Sequence, residues 1–211
     1  MRSGDRRMPI VNYKAREISC KLVYCGPSLG GKTTNIKSLY NMLPPESRSD
    51  LRIIDTHDDR TLFFDFFSLS LARIHGMQVK FLIYAVPGQA YYQVTRKMVL
   101  QGVDGLVFVA DSERRRLADN LASLEDLKIL LAQHRYDYTK LPLTLQYNKR
   151  DLPDILSPDE LNRALNELNR PWFESVATQG RGVQETFQAA CSAVLARLGG
   201  ELGTAAAGEQ P

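Results

Sequence analysis

The segment Gly26-Pro-Ser-Leu-Gly-Gly31-Lys32-Thr33 constrains this chain more than any other, because it fits the pattern G-x-x-x-x-G-K-[ST]. The apolar run Lys21-Leu-Val-Tyr24 precedes it and reads as a buried strand. After it, Ile36, Leu39, Tyr40 and Leu43 recur at helical spacing from Lys32 to Met42, until Pro44-Pro45 ends the helix. A glycine-rich loop between strand and helix lets backbone N–H groups converge on phosphate oxygens, and the helix N-terminus adds partial positive charge. Lys32 would reach the β- and γ-phosphates, and Thr33 would set its hydroxyl on Mg²⁺. A glycine-rich turn with a surface lysine carries the same letters, but not the strand and helix on either side. Alone, the loop indicates a nucleotide without saying which.

Strand-like and helix-like runs alternate through the rest of the chain. Leu62–Ile74 and Val79–Val86 read as strands joined at His75-Gly76, and Gly105–Ala110 and Leu141–Tyr147 as further strands. Leu117, Leu121, Leu124, Leu127 and Leu131 mark one helix. Ser157-Pro-Asp-Glu160 is a capping box opening another, with Leu161, Leu165 and Leu168 inward. A short strand at Trp172–Ala177 leads to a last helix with Val183, Phe187, Ala190, Val194 and Leu198 on one face. The pattern predicts an α/β fold: a three-layer P-loop NTPase, mostly parallel sheet with one antiparallel edge strand, helices on both faces. Residues 12–198 are expected to form a single domain between a flexible N-terminus (1–11) and a flexible tail (199–211).

Asn148-Lys149-Arg150-Asp151 directly follows the strand Leu141–Tyr147, at the strand end where such sheets bind ligands. A carboxylate there can accept two hydrogen bonds from guanine's N1–H and exocyclic amine, a donor pair that adenine lacks. ATP would leave Asp151 unsatisfied. Asn148 would tie this loop to the phosphate loop, and the Lys149 stem would cover the base. A charged surface turn is the bland alternative, weakened by the glycine-rich loop upstream.

Composition excludes more than it selects. A net charge of +3 gives no argument for nucleic acid. The three cysteines (Cys20, Cys25, Cys191) have no metal-ligand spacing, so buried free thiols in a reducing cytoplasm are expected. No run approaches the length of a membrane span, and no lipidation pattern is present.

Beyond these motifs the sequence resembles the Ras-like GTPases, and within them the bacterial MglA-type polarity and gliding-motility GTPases. The likeness runs from about Asn12 to Leu198. It rests on Gly26–Thr34, Asp59-Arg60-Thr61-Leu-Phe-Phe-Asp65-Phe66, Val86-Pro87-Gly88-Gln89, Arg96-Lys97, Gly102–Gly105, Val107–Asp111 and Gln146–Pro153. The resemblance implies a Ras-like G domain that binds GTP or GDP with Mg²⁺ through Gly26, Ser28, Leu29, Gly30, Gly31, Lys32, Thr33, Thr34 and Gly88. Asn148, Lys149, Asp151, Ala177 and Thr178 would hold the base. Thr61 looks like the switch-I threonine on Mg²⁺, Gln89 like the glutamine that orients the attacking water, and Arg60 like an arginine finger in the same chain. Arg60 pairing with Asp58, Asp59 or Asp65 remains an alternative.

Two departures matter. Where most relatives have Asp-x-x-Gly before the glutamine, this chain has Ala85-Val86-Pro87-Gly88, so the usual carboxylate near Mg²⁺ is missing; Asp65 is expected to supply it through water. The Ser-Ala-Lys base loop reads Val176-Ala177-Thr178, which keeps the Ala177 N–H for guanine O6 but loses the lysine. The resemblance further implies slow hydrolysis raised by an MglB-type Roadblock homodimer, GTP-dependent effectors, and a cytoplasmic protein enriched at a cell pole with peripheral or cytoskeletal association. A guanine-nucleotide scaffold that does not hydrolyse is the second reading.

Overall fold

The computed structural model describes residues 10–54, 64–74, 76–86 and 93–207. Its strands are β1 (Ile10–Asn12), β2 (Glu17–Cys25), β3 (Arg52–Ile54), β4 (Phe64–Ile74), β5 (Met77–Ala85), β6 (Gly105–Asp111), β7 (Leu143–Asn148) and β8 (Trp172–Glu174). Its helices are α1 (Lys32–Met42), α2 (Gln93–Leu100), α3 (Leu117–Gln133), α4 (Pro158–Leu165) and α5 (Val183–Ala207). The strands form one sheet in the order β3-β4-β5-β2-β6-β7-β8, with β1 beside the start of β2.

The pairs β5–β2, β2–β6, β6–β7 and β7–β8 are parallel. Strand β4 pairs antiparallel with β5 from Asp65 opposite Ala85 to Ile74 opposite Met77, with a register shift between Ser70 and Ala72. Of the turn expected at His75-Gly76, His75 lies outside the described residues. Two short antiparallel strands, β3 on β4 and β1 on β2, extend this mixed sheet beyond the expected single edge.

Apolar alternation divides the core between the sheet's two faces. On one, Cys20, Leu22 and Tyr24 of β2 and Val107 and Val109 of β6 pack with Ile36 and Leu39 of α1 and Val183, Phe187, Ala190 and Val194 of α5. On the other, Val23 and Leu106, Phe108 and Ala110 meet Val99 and Leu100 of α2, Leu124, Leu127 and Leu131 of α3, and Leu161 and Leu165 of α4. β6 is buried along its whole length, as a strand covered on both faces must be. Each such large side chain contributes roughly 1.5–3 kcal/mol of hydrophobic stabilisation.

Three particulars differ from the periodic pattern. Leu121 is 40% exposed, and α3 instead buries the polar Asn120, whose amide exchanges hydrogen bonds with the Asp111 backbone. Helix α4 stops at Leu165, so Leu168 lies past its end and is half-buried. Helix α5 continues beyond Leu198 to Ala207. The three cysteines are buried and free. Among the described residues, no helix is long and apolar enough to cross a membrane.

Candidate functional site

The carboxyl ends of β2, β6 and β7 meet at one edge of the sheet, and the two sequence motifs leave from there. Between β2 and α1 the chain turns at Gly26 (φ 133°), where a Cβ would stand 2.2 Å from the Val109 carbonyl oxygen. It turns again at Gly31 (φ 99°), where a Cβ would come within 2.2 Å of the Asn148 amide nitrogen. Only glycine fits either place. Leu29 adopts φ 61° without being glycine and is 80% exposed, a local strain at the rim of the loop.

Helix α1 begins with no side-chain cap and no acidic residue in its first turn. Its N–H groups therefore stay available to an anion, unlike those of α4, which Ser157 and Glu160 cap reciprocally. Lys32 is 6% exposed, with its ammonium donating to the carbonyls of Gly26 (3.0 Å) and Pro27 (2.6 Å). Burial pushes its pKa down to about 8, and the Arg96 guanidinium of α2 adds to the effect. A buried cation beside a helix N-terminus that lacks a side-chain cap fits a polyphosphate. Thr33 and Thr34 begin α1 and line an adjoining surface groove with Lys37 and Thr178.

The base-side motif sits against this loop. Asn148, 2% exposed at the end of β7, donates through its amide nitrogen to Gly30 O (2.9 Å). Its amide oxygen accepts from Ser175 Oγ and from the Ala177 N–H, both at 3.0 Å. The tie from Asn148 to the phosphate loop is the one the sequence suggested. The same side chain also joins the 175–178 loop, a link the sequence did not suggest. The Ala177 N–H is already engaged by Asn148, a bond the sequence could not show. Lys149 follows at φ 66°, and Leu29, Gly31, Thr34, Asn148, Lys149, Asp151 and Thr178 enclose a cavity of about 200 Å³. Its size and mixed lining suit a single planar base.

Residues 10–194 match the family model of the ADP-ribosylation factor family. The chain belongs to that family. The mutual gliding-motility protein MglA of Myxococcus xanthus (strain DK1622) is 49% identical over 191 residues, which cover 90% of this chain and 98% of that protein. ADP-ribosylation factor-like protein 6 of Danio rerio is 26% identical over 188 residues, 86% of this chain and 90% of that protein. The chain is thus an MglA-type member of the Ras-like superfamily and a GTPase, converting GTP to GDP and phosphate.

Arg60, Thr61, Gly88 and Gln89 lie outside the described residues. Asp65 is described through its backbone, which pairs with Ala85 across β4 and β5. Gly26, Ser28, Leu29, Gly30, Gly31, Lys32, Thr33 and Thr34 gather at the phosphate loop, with Asn148, Lys149, Asp151, Ala177 and Thr178 beside it. The sequence assigns no site role to Asp111 or Arg116. Asp111, fully buried at the end of β6, accepts from Lys149 Nζ at 2.5 Å, and Arg116 donates to Ser28 O at 2.7 Å. A carboxylate ending an all-apolar strand was the one signal available for the first, and a run of three arginines hid the second.

Proposed function

We propose that this protein is a GTP/GDP switch that hydrolyses GTP slowly and acts in cell polarity or surface motility with an MglB-type activating partner. The observation carrying the nucleotide part is the Asn148 side chain, which couples the phosphate loop to the 175–178 base loop across a base-sized cavity. The motility part rests on the likeness to MglA.

In this reading Asp151 accepts from guanine N1–H and the exocyclic amine, while Asn148 shares or yields the Ala177 N–H so that it can meet guanine O6. Lys32 and the first N–H groups of α1 bind the phosphate oxygens. Gly88 would approach the γ-phosphate. Thr33 and Thr61 would hold Mg²⁺ directly and Asp65 through water. Bound there, Mg²⁺ supplies neutralisation of charge on the β- and γ-phosphates. Gln89 orients the attacking water, and Arg60 brings positive charge to the transition state, a contribution of about 10³–10⁵ in rate for such fingers. An activating partner would work by bringing Arg60 and Gln89 into register.

Labelled GTP competed against excess GDP and excess ATP tests the site: displacement by GDP and not by ATP is expected. Single-turnover hydrolysis with and without an MglB-type homodimer tests the switch, with a clear rise in rate expected on adding the partner. Equal displacement by ATP would overturn the guanine assignment. Rates unaffected by the partner would overturn the proposed activation.

A further inference from the structure

Two residues lining the base cavity hold backbone conformations unusual for side chains other than glycine: Leu29 at φ 61° and Lys149 at φ 66°. They lie on opposite loops, and each unfavourable conformation must be imposed by its surroundings. A single ionic cluster at the junction of β6 and α3 reaches both. Arg116 donates through Nη2 to the carbonyl of Ser28, the peptide unit directly before Leu29. Asp111 accepts from Lys149 Nζ through Oδ2, and its Oδ1 accepts from the Glu113 N–H at 3.0 Å.

Arg116 and Asp111 also meet each other, at 3.8 Å between Nε and Oδ2, and Asp119 holds the far side of the guanidinium at 2.5 Å. Asp111 has no exposed surface, and the Asn120 amide fixes its backbone from both sides. Asp111 is therefore held in place behind a cavity lined by both positive-φ residues.

We propose that Arg116 and Asp111 are positioning residues that brace the two walls of the guanine cavity and thereby set how long nucleotide stays bound. Neither touches the γ-phosphate chemistry: Asp111 acts through Lys149, which lines the cavity, and Arg116 through the Ser28 peptide unit that precedes the lining residue Leu29. Loss of the Arg116–Ser28 contact releases the phosphate loop at Leu29, and loss of the Asp111–Lys149 contact releases the lysine stem over the base. The main effect falls on dissociation rather than on bond cleavage. The inference rests on the cavity being the guanine site.

The test uses the full chain loaded with GDP, with dissociation followed on adding excess unlabelled GDP, in the native protein and in Arg116→Met and Arg116→Lys. Methionine keeps much of the apolar stem and removes the charge and donors. GDP release is expected to rise about tenfold or more in Arg116→Met, the size of one hydrogen bond to a charged group. Single-turnover hydrolysis at saturating GTP should change by a much smaller factor. Arg116→Lys should recover a substantial part of the retention. Release within twofold of native would overturn the proposal. So would equal losses in retention, hydrolysis and melting temperature of the nucleotide-free protein, because a merely structural role predicts those. A native protein that retained no GDP would overturn both this inference and the guanine site beneath it.

Discussion

At the scale of single residues, Lys32 combines a role with a measurable consequence. Its folded pKa, lowered to about 8 by burial, lies below the value of 10.5 for an exposed lysine. Below pH 8 both folded and unfolded chains carry the charge, and the folded state bears the burial penalty in full. Between 8 and 10.5 the unfolded lysine binds the proton that the folded one has lost, so this residue makes the nucleotide-free protein more stable as pH rises. Phosphate oxygens reverse the preference by favouring the charged form. GDP binding at pH 9 should then take up protons, detectable by calorimetry in buffers of different ionisation enthalpy, and the uptake should fade towards pH 7. Binding with no proton uptake at pH 9 would contradict the assignment. Residues whose places follow from chain neighbours, such as Gly26, Gly31 and Lys32 between β2 and α1, were legible in the sequence. Asp111 and Arg116 were not, because their partners lie 38 and 88 positions away. Only the fold brings them together.

Elements were legible in proportion to their length and apolar content. The buried strands β2, β6 and β7 and the inward faces of α1, α3 and α5 are written as periodic apolar residues. The strands β1 and β3 are three residues each and owe their existence to a neighbouring edge rather than to their own pattern. Helix α4 shows the opposite case, because its start is encoded locally. Ser157 Oγ accepts from the Glu160 N–H at 3.2 Å, and Glu160 accepts from the Ser157 N–H at 2.7 Å. Ser157→Ala should cost about 1 kcal/mol, lowering the melting temperature by roughly 2–4 °C for a chain of this size. The Ser157 N–H, with help from Arg114, holds the Glu160 carboxyl at about 2, below its ordinary 4.5. That stabilisation is present above pH 4.5 and is lost as pH falls towards 2. Melting curves at stepped pH should therefore show the native protein's advantage over Glu160→Gln narrowing across that window. A gap that stayed constant would assign it to shape rather than charge.

At the scale of the whole molecule, direction of travel decides what reaches the ligand edge. The parallel strands β2, β6 and β7 arrive there with their carboxyl ends, and the loops that follow them form the site. Strand β4 runs the other way, so the same edge receives its first residues. Its pairing with β5 sets Asp65 opposite Ala85, the last residue of β5 and the position where most Ras-like relatives carry a carboxylate. Sequence spacing alone put Asp65 20 positions from Ala85; antiparallel register makes them cross-strand partners. We propose that an acid at this cross-strand position takes the part of the one missing at Ala85. If Asp65 serves Mg²⁺ in this way, Asp65→Ala should retain nucleotide poorly in millimolar Mg²⁺, with release close to that of native protein treated with chelator. Restoring the acid on the other strand, as Asp65→Ala with Ala85→Asp, should recover part of the Mg²⁺ dependence despite the buried position of Ala85. Nucleotide release measured across a Mg²⁺ titration reads both variants. An Asp65→Ala protein that titrates like the native one would show that the carboxylate is not needed there, and that the metal is held by the threonines and phosphates alone.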